Sequence, residues 1–309
     1  MIVRGAWNHL LRPGLRRDFR DSYNSFPEEY GMFLKVGNTD RAEEERVAIS
    51  GLGRMARKAD VGTITYVDPV LSDKYTYVDD EWALGFMISR RTIEDDLHNR
   101  TRQNAKWLGR SARLTQEYLG AALLDDAFDG NTYTGLTSRG GTPEALISPT
   151  HALLNDSGTW SNEVSGNPSL SVTAWQAALE LAEAQVDHQG DPMPIMAKRL
   201  LVDRTDEWMA IQLTKNSNEP YTTDRNINAA LTKSRINDYK LLHYVTVDGS
   251  WFVQDPSLID MHFLFRVRPQ FGDEMDSGGT LAARYWGRQR ILVYFFDQRG
   301  IIGSDGTGT

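Results

Sequence analysis

From Thr92 to Ala127 the chain carries a single helical pattern, and its length constrains everything around it. Ile93, Leu97, Thr101, Ala105, Leu108, Ala112, Leu119 and Ala122 recur at helical spacing and define a modest apolar stripe. Arg100, Arg102, Lys106, Arg110 and Arg113 populate the opposite face. Thr92 followed by Asp95 resembles a capping box, and Gly130 is a natural terminator. At about 1.5 Å per residue such a helix would reach roughly 50 Å, more than a compact domain ordinarily accommodates. The rest of the fold has to be arranged along it.

What flanks this helix is mostly strand. Thr63–Val67 and Tyr75–Val78 are rich in β-branched and aromatic residues, with a turn-forming stretch from Asp68 to Lys74 between them. They predict a hairpin, which alone is only marginally stable and needs a partner for its faces. Trp82–Ile88 is a continuous apolar run, the pattern of a strand buried on both faces. Ahead of these, Arg4, Arg12, Arg16, Arg17 and Arg20 crowd the first residues and Glu43, Glu44 and Glu45 follow. Pro13, Gly14, Pro27 and Gly31 interrupt any long helix there, which predicts an extended arm with short helical pieces. After residues 131–169, rich in loop formers, a helix is expected over Ser171–Val186 and a short strand over Lys198–Val202. Asp203 then caps a helix carrying Trp208 and Ile211. Strands return at Leu241–Val247, Trp251–Val253, Met261–Val267 and Ile291–Phe296. The class is α+β, and 309 residues allow one large domain or two lobes.

Composition removes several kinds of function. With no cysteine there is no disulfide, thiolate metal site or thiol nucleophile, which fits a reducing compartment. A net charge of −8 argues against a surface devoted to nucleic acid. No run approaches the ~20 apolar residues of a membrane span, and the first residues lack the apolar core of a signal peptide. A soluble, non-secreted protein is expected.

The motifs that would carry chemistry are incomplete. Gly51-Leu52-Gly53 has neither a third glycine nor a Gly-Lys-Ser/Thr ending, so it makes no phosphate cradle. Asp125-Asp126-Ala127-Phe128-Asp129-Gly130 starts like a calcium loop but places Ala127 and Leu136 where oxygens are needed. The six histidines form no His-x-x-x-His or His-Glu-x-x-His pair, and no Gly-x-Ser-x-Gly elbow occurs. Asp203, Asp206 and Glu207 read as helix-capping acids rather than a catalytic pair. Tyr66, Tyr75 and Tyr77 sit among Asp68, Asp73, Asp79, Asp80 and Glu81, which suits protein packing better than base stacking. No catalytic, cofactor or metal residue is expected.

The order of arm, hairpin, long helix, mixed lobe and strand-rich return resembles the HK97-like major capsid family over nearly the whole chain. Three phrases are similar to that family. Gly85-Phe-Met-Ile-Ser-Arg-Arg-Thr-Ile-Glu-Asp-Asp96 leads into the long helix, Pro194-Ile-Met-Ala-Lys-Arg-Leu-Leu-Val202 precedes a helix, and Asp297-Gln-Arg-Gly-Ile-Ile-Gly-Ser-Asp-Gly306 comes near the end. One departure is Asp203-Arg204, where the family often has prolines.

The resemblance implies an N-terminal arm over 1–50, an E-loop hairpin with its flanking strand over 51–88, a P-domain with the spine helix over 89–134 and 256–309, and an A-domain over 135–255. It implies a structural protein whose copies form pentamers and hexamers of an icosahedral phage head around double-stranded DNA, assembled in the bacterial cytoplasm. An encapsulin-like cellular shell is the alternative. Tyr66, Lys74, Tyr75 and Tyr77 would then meet another subunit through the E-loop. Arg12, Arg16, Arg17 and Arg20 of the arm would meet a neighbour, scaffold or DNA, and Asp273, Glu274 and Asp276 would form a P-domain loop interface. A separate scaffolding protein, a portal protein and a decoration protein are the further partners implied, with no membrane. Some members crosslink an E-loop Lys to a P-domain Asn, but no Asn follows Asn237 here, so no crosslink is expected.

Overall fold

A computed structural model describes residues 6–89, 91–92, 99–155, 158–215, 236, 239–275 and 282–308. In chain order the elements are α1 (Ala6–Ser25), β1 (Lys35–Asn38), β2 (Glu43–Arg46), β3 (Tyr75–Val78), β4 (Asp80–Ser89) and α2 (Arg100–Asp125). The short β5 (His151–Ala152) and β6 (Thr159–Trp160) come next, followed by α3 (Val172–Glu183), β7 (Arg199–Val202) and α4 (Glu207–Lys215). The last are β8 (Tyr239–Leu241), β9 (Trp251–Gln254), β10 (Met261–Met275), β11 (Ala282–Phe295) and β12 (Ile301–Ser304). The chain divides into two compact units, one of residues 1–43, 78–120 and 262–293, the other of 44–77, 121–261 and 294–309.

The first unit is built on a four-stranded sheet in the order β1-β10-β11-β4. Lys35 pairs in parallel with His262, while β4 runs antiparallel to β11 from Asp80–Ile291 to Ser89–Ala282. Leu15 and Phe19 of α1, Ala105 and Leu108 of α2, and Phe271, Ala283 and Tyr285 of the sheet form its core. The expectation of an extended arm is corrected here, because α1 is a 20-residue helix with Pro13 inside it. An interior proline costs about 3 kcal/mol. Burying Leu15 and Phe19, one turn apart, returns roughly 1.5–3 kcal/mol each. Arg102 adds two hydrogen bonds to Asp18 at 2.7 and 3.0 Å, and Ser22 donates to the Lys106 carbonyl at 2.7 Å. The two helices approach so closely that a Cβ on Gly109 would collide with the Phe19 carbonyl.

The long helix is interrupted within its expected range, and residues 93–98, with Asp95 of the expected capping start, lie outside the described residues. Asn99, at φ 53°, takes the left-handed conformation that asparagine tolerates, and α2 starts only after it. The remaining 26 residues span about 39 Å. The strand expected over Trp82–Ile88 is present as β4, yet it is the outer strand of its sheet and mostly exposed. An apolar run does not distinguish a buried strand from an edge whose face is left open.

The second unit carries the sheet β12-β9-β7-β8, with β7 parallel to β8 and antiparallel to β9. Trp175, Ala178, Leu179, Leu200, Val202, Trp251, Val253 and Ile302 lie in its core, packed with α3 and α4. Ser171 caps α3 by accepting from the Ala174 N–H. Asp203 follows β7 but does not cap α4 as expected: it accepts from the Thr205 and Asp206 N–H groups, which precede the helix, and from the Gly249 N–H. The strand expected over Leu241–Val247 reaches only Leu241.

Candidate functional site

The hairpin expected from Thr63–Val67 and Tyr75–Val78 is real in only one arm. Residues 63–67 form no strand, and β3 instead pairs with β2. Thr-Ile-Thr-Tyr-Val has strong β propensity, but propensity reports fit to a pleated, half-buried surface, and here there is no partner strand to supply one. The ribbon continues through an antiparallel bridge between Ile49 and Leu71. Backbone bonds from Ser50 to Val70 at 2.9 Å and from Ser72 to Ala48 at 3.0 Å close it further. The Ser72 and Ser50 hydroxyls accept from the Ala48 and Val70 N–H groups and so finish the ladder with side chains.

Beyond that point residues 51–70 leave the ribbon without helix or strand. Gly51 and Gly53, at φ 79° and 67°, make the bend that a residue with a Cβ would resist. Gln189 holds its root, donating to Ser50 Oγ at 2.8 Å and to the Gly51 carbonyl at 3.0 Å, and Arg54 pairs with Asp191 at 2.5 Å. Leu52, Met55, Val61, Ile64, Tyr66 and Val67 are all exposed, Tyr66 at 88%. So many apolar side chains on one projecting segment mark an interaction surface.

The sequence-derived tyrosines separate into two roles. Tyr66 stands on the exposed segment, whereas Tyr75 and Tyr77 fasten the base of the ribbon to its own unit. Tyr77 donates to the Phe295 carbonyl at 2.9 Å and stacks on Tyr294 with centroids 4.3 Å apart; burial pushes its phenol pKa up. Tyr75 packs edge-on against Phe296, and its hydroxyl accepts from the Thr137 N–H. Lys74 pairs with Glu45 across the ribbon at 2.7 Å, and Arg46 forms a bidentate pair with Asp260 at 2.6 and 2.8 Å.

Arg16, Arg17 and Arg20 are exposed on α1, with Arg17 3.4 Å from Asp21. The side chain of Arg12 and the whole of Asp276 lie outside the described residues. Asp273 is half-buried and Glu274 exposed, both near the end of β10.

The abandoned chemical motifs find structural employment. Asp126 accepts from the Asn131, Thr132 and Tyr133 N–H groups, and Asp125 from Thr246, so the apparent calcium loop is a capped helix end. Among the described residues no group of His, Asp or Glu is arranged to hold a metal ion. No described helix is long and apolar enough to cross a membrane.

Sequence reasoning missed the buried polar centres because their partners are remote in the chain. Asn162, fully buried, donates to the Leu146, Gln298 and Ile301 carbonyls and accepts from Ser148, while His151 bridges it to Glu144. His151 lies between these partners and the face of Trp160, with no space for a substrate. Asp79 is buried and clasped by Arg290 at 2.6 and 3.2 Å and by Arg266 at 3.4 Å. Asp297 is held down at about 2, because the His188 hydrogen bond and the nearby Arg299 outweigh the opposing effect of burial. These groups tie distant segments together; none opens onto a cleft.

The phage capsid protein family matches the chain over residues 75–304. No curated protein matches it. Among solved structures the chain is similar to Mycobacterium phage Adephagia, with a TM-score of 0.54 at 12% identity over 90% of each chain. It is similar to the virus-like particle from Pyrococcus furiosus, with a TM-score of 0.53 at 10% identity over 94% of this chain and 98% of that one. The capsid of Myoviridae phage XM1 gives 0.51 at 13% identity, covering 87% and 88%.

Proposed function

The chain belongs to the phage capsid protein family, and on that premise we propose how its surfaces build a phage head. It is a major capsid protein of the HK97-like α+β fold, a subunit of a self-assembling shell. In the proposed arrangement copies gather as pentamers and hexamers of an icosahedral shell around double-stranded DNA. Residues 135–255 act as the A-domain around the axes, and 89–134 with 256–309 as the P-domain. The role is mechanical, without catalysis.

The observation that carries this reading is the projecting segment 51–70. Its exposed Leu52, Met55, Val61, Ile64, Tyr66 and Val67 would be a solubility liability on a monomer, and laying them across a neighbour removes that cost. Tyr75, Tyr77 and Lys74 serve that contact by fixing the ribbon from which the segment springs. Arg16, Arg17 and Arg20, with Arg12, supply positive charge toward packaged DNA, while Asp273, Glu274 and Asp276 meet a neighbouring subunit. A separate scaffolding protein, a portal protein and a decoration protein complete the partners, and assembly takes place in the host cytoplasm. The fold alone would also suit an encapsulin-like shell, since the Pyrococcus furiosus particle shares it. The family match over residues 75–304 favours the phage head.

Electron microscopy of the purified protein, alone and co-expressed with the scaffold, tests the proposal. Shells or capsomers are expected. Persistence as a monomer under every assembly condition overturns it.

A further inference from the structure

Helix α2 buries one apolar face inside the first unit and carries a second set of apolar side chains that are exposed. Ala105, Leu108, Gln116 and Glu117 are turned inward. Trp107, Leu114 and Tyr118 are turned outward and are 60%, 37% and 52% exposed. Their spacing of seven and four residues confines them to an arc of roughly 40°. Beside this stripe Ser111 and Thr115 form one wall of a groove of about 210 Å³, whose other wall is Trp82 and Leu84 of β4. Both strand residues are themselves exposed. Stripe and groove make one apolar surface along about 17 Å of helix, the distance from Trp107 to Tyr118.

The charge on the helix side of this surface is one-sided. From Arg100 to Gln116 the chain carries five Lys or Arg and no acid, against a net charge of −8 for the whole protein. Arg102 is engaged by Asp18, and Arg113 reaches inward to Glu28. Lys106 and Arg110 remain exposed on one flank of the stripe, and on the other Arg288, itself paired with Glu81 at 3.2 Å, lines the groove.

We propose that this surface docks an acidic amphipathic helix of about three turns, supplied by a scaffolding-type assembly partner. Such a helix would seat aliphatic or aromatic residues at i, i+3/i+4 and i+7 against Trp107, Leu114, Tyr118 and the groove. Its carboxylates would lie over Lys106 and Arg110. The alternatives fit less well. Duplex DNA matches the cations but offers nothing apolar to cover Leu84 and Leu114. A second copy's segment 51–70 brings Asp60 and Asp68 together with Arg57 and Lys58, while its Arg54 is held by Asp191, so it offers no acidic face to Lys106 and Arg110. The partner class rests on the capsid reading; the site rests on α2 and β4.

The test uses the purified full-length subunit and a fluorescein-labelled synthetic helix with leucines on one face and glutamates elsewhere, read by anisotropy. A companion peptide replaces every glutamate with lysine, and a short DNA duplex is the third probe. Saturable binding of the acidic peptide, weakened by salt, is expected for the wild type. Leu114→Glu, Arg110→Glu and the double variant Trp107→Ser/Tyr118→Ser should each bind about tenfold more weakly or worse. Trp208→Ser, which alters an exposed tryptophan on α4, should bind as wild type does. Circular dichroism of each variant checks that it is folded, and the surface charge reversal Arg110→Glu gives up only the guanidinium's contact with the Phe26 ring. Failure of the acidic peptide to bind, or equal binding by the variants, overturns the proposal. So does equal binding of the lysine peptide, or DNA binding that is lost with the same substitutions. Micrographs of the same wild-type preparation separate the two readings, because shells without peptide binding remove only the docking site. Absence of shells and capsomers under every assembly condition, with scaffold or without, removes the capsid reading.

Discussion

Glu117 is a carboxylate in an almost fully buried position of α2, where Oε2 accepts from the Glu29 and Tyr30 N–H groups at 3.1 Å each. Burial pushes its pKa up to about 7, against the pull of those two donors and of Arg113. The groups facing it are Arg113 and Gln116 on its own helix and Tyr23, Glu28, Glu29 and Tyr30 on the segment packed against it. Since the native state holds the proton more tightly than the unfolded chain, this group's contribution to stability is fully present below about pH 4.5 and is lost as pH rises through about 7. Glu117→Gln keeps an acceptor for the backbone without the charge, so it should flatten the stability profile between pH 5 and 8. Glu117→Ala should lose about 1–3 kcal/mol at pH 5 by leaving two buried N–H groups unsatisfied. Denaturant melts of the unassembled subunit across pH measure both. A wild-type stability that rises from pH 5 to 8, with Gln unchanged from it, would contradict the assignment.

At the scale of elements, the ribbon and its projecting segment separate stability from assembly. Replacing residues 52–69 by a short turn removes exposed side chains and one surface ion pair, which is worth about 0–1 kcal/mol. The shortened subunit should therefore melt within a few degrees of wild type, about 2–4 °C, yet form no shells. Calorimetry and micrographs read the two outcomes, and normal shells would sink the role given to the segment. The elements also show what is readable in a single sequence. Helices α3 and α4 and strands β3, β7, β9 and β10 were legible because their periodicity and alternation are local. Helix α1 was not, because its proline and glycine are visible in the sequence while the packing of Leu15 and Phe19 on Ala105 and Leu108 is not. Trp82–Ile88 gave away a strand but not its exposed position at the sheet edge. At the candidate surfaces, Tyr66 was legible as part of an aromatic cluster. Trp107, Leu114 and Tyr118 were not, since the apolar stripe counted on α2 was the one facing inward.

At the scale of the whole molecule, the capsid reading includes an expectation about covalent chemistry. Lys74 has an amine on the ribbon, but the later P-domain stretch, 256–309, holds no Asn for it to attack. Mature particles boiled in detergent should run as a single monomer band, and a ladder of multimers would refute this. Shell cohesion then rests on buried area and charge, so it should respond to salt and denaturant as a reversible association does.

Each unit is stitched from three separated stretches of chain, and this has a consequence for synthesis. The sheet of the first unit has β10 and β11 at its centre, so Lys35 waits for His262 before it can pair. The second unit is finished only when β12 joins β9 and Asn162 meets the carbonyl of Ile301. At about 5–20 residues per second, a ribosome spends well over ten seconds making these segments before either unit can close. A polysome crowded with half-made subunits therefore displays no finished docking surface, and neighbouring nascent chains have nothing complete to polymerise with. The interleaving delays association until the last of these segments has been made.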